Sequence, residues 1–76
     1  MAETEHYGLR KATDINRESA TFELLSHGEV LLDVGYSNTG ALEVCFGKPI
    51  VGRILDWKQL CHWIEKAKAM ADADRE

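Results

Sequence analysis

The chain reads as an α+β protein: an antiparallel β-meander of three to four strands, with room for a fifth N-terminal strand, packed on one C-terminal α-helix. Three observations predict this. The middle of the sequence carries short alternating segments rich in β-formers, separated by glycine-bearing turns. Two of those turns, treated independently, bring the apolar residues onto one face. Beyond Asp56 the apolar spacing changes from a period of two to a helical period.

Met1 to His6 has the composition of a frayed tail. Tyr7 and Leu9 can open a short strand or fold back on the core. Thr13 to Ser19 is polar and predicts an irregular connection or a helical turn. Ala20 to Leu25, Glu29 to Tyr36 and Ala41 to Phe46 are the three clear strands.

The turns set the expected register. Ser26-His27-Gly28 suits a three-residue loop with Gly28 left-handed, pairing Leu25 with Glu29, Leu24 with Val30 and Phe22 with Leu32. Asn38-Thr39-Gly40 suits the same loop, pairing Tyr36 with Leu42, Val34 with Val44 and Leu32 with Phe46. Phe22, Leu24, Val30, Leu32, Val34, Tyr36, Leu42, Val44 and Phe46 then share one face, and a one-residue slip would scatter them.

Gly47-Lys48-Pro49 breaks the pattern, and Ile50 to Leu55 can form a fourth strand at an edge, where Pro49 is tolerated. Asp56 reads as a helix N-cap, with Gln59 at the capping-box position and Leu55 and Leu60 at the staple positions. The helix should run from Trp57 to about Ala71. Leu60, Ile64, Ala67 and Ala71 form its buried stripe, with Trp57 and Cys61 on one flank and Trp63 and Met70 on the other. The acidic end, residues 72–76, should fray.

Seventy-six residues make a single small domain. A chain this short hides only about 60% of its unfolded surface, leaving no room for both a core and a deep substrate cavity. A net charge of −4 disfavours direct nucleic-acid binding, which depends on excess Lys and Arg. Only two cysteines occur, Cys45 and Cys61, which suits a reducing compartment and a cytoplasmic setting. No signal peptide and no membrane-spanning run is recognisable.

The expected register gives the second sheet face Thr21, Glu23, Leu25, Glu29, Leu31, Asp33, Glu43 and Cys45. Carboxylates with apolar residues among them suit a basic partner surface, or could imitate a phosphate backbone. The candidate partner-binding set is Glu23, Leu25, Glu29, Leu31, Asp33 and Glu43. The plainer reading is a solvated face with stray leucines. Trp63 and Met70 are a candidate self-association pair, or else seal the margin of the sheet.

Chemistry finds little footing. Cys61 and His62 are adjacent and diverge on a helix, and His62 with Glu65 makes only two ligands, so no metal or other cofactor is expected. Cys45 and Cys61 should lie on opposite sides of the sheet, too far apart for a disulfide. No nucleophile–base arrangement, phosphate loop or zinc-hydrolase helix is present, so no enzyme is expected. The leading expectation is a non-catalytic protein-binding module, of inhibitor or immunity type, that occludes a basic partner. The alternatives are a homodimeric accessory protein, associating through the helix edge or a strand edge, and a small thiol- or metal-dependent protein.

Overall fold

The computed structural model describes residues 6–75. It is an α+β fold. Strands β1 (Tyr7–Ala12), β2 (Thr21–Ser26), β3 (Glu29–Tyr36) and β4 (Leu42–Phe46) form one antiparallel sheet in chain order, followed by one helix, α1 (Trp57–Arg75). The N-terminal segment thus supplies a strand. The expected strand at Ile50 to Leu55 does not form: Lys48–Ile50 makes a 3-10 turn against β3, and the chain runs irregularly to the helix. Pro49 sits at the start of that turn, where its fixed φ fits and its missing N–H costs nothing.

The β3–β4 hairpin has the expected register, with Tyr36 opposite Leu42, Val34 opposite Val44 and Leu32 opposite Phe46. Gly40 takes a φ of +90° in its loop, and the Ser37 N–H closes it on the Ala41 carbonyl at 2.8 Å.

The β2–β3 hairpin differs. Its loop is two residues, His27 and Gly28, with φ of 51° and 79°, as a type I′ turn requires at both positions. Ser26 pairs with Glu29 and Leu25 with Val30, and past a bulge Leu24 pairs with Leu32 and Phe22 with Val34. Without that extra residue, the tight turn would set Phe22 opposite Asp33 and send a carboxylate into the core. The bulge restores the apolar phase.

The core therefore holds Ala20, Phe22, Leu24, Leu32, Val34, Ala67 and Ala71, joined at its margins by Tyr7, Leu9, Tyr36, Ile50, Leu60, Trp63, Ile64 and Met70. Val30, expected in it, pairs with Leu25 on the other face. Leu42, Val44 and Phe46 have the expected orientation but not the expected cover. The helix packs mainly on β2 and β3 and touches β1, so these three residues stay 40%, 41% and 64% exposed.

Asp56 caps α1 by accepting the Gln59 N–H at 3.0 Å. The helix does not end near Ala71 but continues to Arg75. Its last turn is held from outside. The Tyr36 hydroxyl donates to Asp72, the Ala20 N–H donates to Asp74 at 3.3 Å, and Lys11 pairs with Asp74 at 2.8 Å. Residues 1–5 and Glu76, at the ends expected to fray, lie outside the described residues.

Candidate functional site

Two surfaces bear on function: the sheet face away from the helix, and the β4 margin. On the first, the registers align Arg10, Glu23, Asp33 and Cys45 across all four strands. The face is therefore not purely acidic. Arg10 pairs with Glu23 at 2.6 Å, a contact that pairing from β1 creates. The connection between β1 and β2 brings in Arg17. Its guanidinium donates to the Tyr36 carbonyl at 2.9 Å, its positive charge is felt at Asp33, and its Nε is buried with no partner among the described residues.

Burial raises the Asp33 pKa; Arg17 pulls it down and Glu23 adds a smaller upward push. Thr13, Asp14 and Arg17 face Thr21, Glu23, Asp33 and Cys45 across an open cavity of about 340 Å³.

Of the expected members of this face, one sits elsewhere and another is not exposed. The bulge places Glu29 opposite Ser26, on the helix side, where it pairs with Arg53 at 3.2 Å. Leu31 is 0% exposed and outside the helix-side cluster, with its carbonyl accepting the Gly47 N–H at 2.8 Å. Leu25 is half-buried and Glu43 is exposed on β4. Of the six candidates the accessible outer face thus keeps Glu23, Asp33, Glu43 and Leu25, and two of its three carboxylates have an arginine beside them.

Trp63 and Met70 pack against the core at the β1 margin, where the Trp63 ring lies 6.2 Å from that of Tyr7 and Lys66 sits 5.1 Å above it. Both are only partly buried there. Both cysteines are free thiols. Among the described residues, no three His, Cys, Asp or Glu side chains converge as metal ligands, and no helix is long and apolar enough to cross a membrane.

Association through a strand edge was among the expectations, but the sequence reading did not single out the β4 margin. Antiparallel pairing alternates residues that bond the neighbouring strand with residues that do not. The Ser37–Ala41 and Leu31–Gly47 bonds to β3 set that phase, so Glu43 and Cys45 bond β3 as well. Leu42, Val44 and Phe46 consequently aim their N–H and C=O groups at the open edge, with no further strand among the described residues to receive them.

The same three residues carry the uncovered apolar side chains. At the other edge β1 carries Arg10 and Lys11, the charges that usually guard an edge strand, whereas β4 has one charge, Glu43, and no Lys or Pro. Trp57, the first residue of the helix, is 75% exposed. The alternation Leu-x-Val-x-Phe was visible in the sequence, but only the lateral position of the helix shows that the strip is bare.

Comparison with known proteins returned no matching family model, no matching curated protein and no matching solved structure, so the functional reading rests on this geometry alone.

Proposed function

We propose that this protein is a non-catalytic binding module that associates with another polypeptide through strand β4. One observation carries the reading: the same three residues, Leu42, Val44 and Phe46, present both an unpaired backbone edge and an uncovered apolar strip. An incoming strand gains hydrogen bonds from the first and burial from the second. A small domain rarely leaves such an edge unguarded unless something covers it.

The test is capture by the immobilised chain. Wild type and a Val44→Lys/Phe46→Lys variant are exposed to native lysate supplemented with the purified chain itself. A polypeptide held by wild type and lost by the variant is the expected result. Equal retention by both, or none by either, rejects the reading.

Occlusion of a basic partner through the outer face is the second reading, motivated by exposed Glu43 on the same face as Glu23 and Asp33. Reversing Glu23 or Asp33 also disturbs Arg10 or Arg17, so Glu43→Lys is the cleaner variant. Charge-driven binding of this kind weakens as salt rises. Capture that is insensitive to both salt and Glu43→Lys excludes it.

A further inference from the structure

We infer that the partner of β4 is a second copy of this chain, joined antiparallel about a two-fold axis at Val44. This rests on the reading of β4 as the binding edge and goes further by naming the occupant.

The register argues for it. With the axis at Val44, that residue faces the second copy's Val44, while Leu42 faces Phe46 and Phe46 faces Leu42 across the seam. All three already aim their N–H and C=O groups outward, so each facing pair exchanges two hydrogen bonds. On the opposite face the only charge of the strand, Glu43, meets the second copy's Cys45 instead of a carboxylate.

Neighbouring registers are worse. Moving the axis to Glu43 sets two carboxylates face to face. Moving it to Cys45 draws Lys48 into the ladder, although Lys48 is already committed to the 3-10 turn. A symmetric seam needs a self-complementary strand, and Leu42–Phe46 is one. The product is one continuous eight-stranded sheet with both helices on the same face.

The area sets the strength. At the observed exposures Leu42, Val44 and Phe46 offer roughly 300 Å² per copy, main chain included. That falls short of the roughly 800 Å² per partner of a standard interface, so the dimer is a weak, reversible one. Each copy also carries a net charge of −4, so salt screens the repulsion and tightens the dimer. This is opposite in sign to binding of a basic partner.

Sedimentation equilibrium of the purified chain from about 10 µM to about 1 mM tests this, at low and high salt, that range bracketing a weak interface. Wild type should pass from monomer to dimer, with a larger dimer fraction at high salt. Val44→Pro should remain monomeric with an unchanged far-UV spectrum. Its missing N–H faces the open edge, not β3, so the internal ladder survives.

A second variant does not depend on the fold tolerating proline. Glu43→Cys sets its new thiol opposite the second copy's Cys45, and mild oxidation should give a disulfide-linked dimer on a non-reducing gel. A wild-type chain that stays monomeric at the top of the range, or a Glu43→Cys chain that never cross-links, overturns the inference. If the purified chain is monomeric yet the immobilised chain still holds a different polypeptide through β4, the binding reading stands and the second copy falls. If neither happens, both fall.

Discussion

At the scale of single residues, the fold turns on two backbone positions. His27 occupies the left-handed region beside Gly28, where a side chain with a Cβ is disfavoured and Asn is the best tolerated non-glycine residue. His27→Asn should therefore stabilise the protein by about 0.5–1 kcal/mol, read as a higher urea midpoint at unchanged slope. A lower midpoint would show that His27 makes a compensating contact. Gly47 answers to space, not to φ. A Cβ there would come within 2.7 Å of the Val30 carbonyl, so only glycine lets the chain pass close to the bulge on leaving β4. That close passage permits the Gly47–Leu31 bond, which sets which β4 residues face outward.

At the scale of elements, the last turn of the helix shows tertiary partners overriding local preference. Asp72 and Asp74 near a helix C-terminus oppose the helix dipole. They stay helical because each holds a group from the sheet. The Tyr36 hydroxyl, then Lys68, keeps Asp72 below the ordinary carboxylate range, and Lys11, then the Ala20 N–H, does so for Asp74. Since their folded pKa values are lowered, their contribution is present above the unfolded value near 3.9 and is lost as pH falls through the folded values. Asp33 is raised and works the other way, because its protonation relieves the cost of burial. Thermal melts followed by circular dichroism should show Tm dropping as pH goes from about 5 to about 3. Asp74→Asn should melt lower than wild type at pH 7 and lose less on acidification. An identical pH slope in the two proteins would remove Asp74 from the account.

At the scale of the whole molecule, one helix shares a face with four strands and covers about three of them. The uncovered quarter of the sheet is the β4 strip, and a chain of 76 residues gains core by covering it. Association at β4 links stability to concentration by mass action. Wild-type Tm should rise with protein concentration over the range in which the dimer forms, whereas the Tm of Val44→Pro should not. A wild-type Tm independent of concentration across that range counts against association of the native chain.

How much could be read before the structure differs from element to element, for physical reasons. The sequence by itself determined strands β2, β3 and β4, the start of the helix with its Asp56 cap, the β3–β4 register and the orientation of the apolar side chains other than Val30, but not β1, the helix end or the irregular course of Ile50 to Leu55. These follow from period, from turn chemistry and from capping within a few residues. It misjudged the β2–β3 loop because Gly28 closes a two-residue or a three-residue turn equally well, and only core packing demands the bulge that corrects the phase. Tertiary structure alone decided the rest: that β1 supplies the outer edge and Arg10, that Arg17 comes beside Asp33, that Leu31 is buried, that Asp72 and Asp74 stay helical, and that the helix stops short of β4. Each depends on where distant segments meet, and neither spacing nor propensity encodes the lateral position of a helix on a sheet.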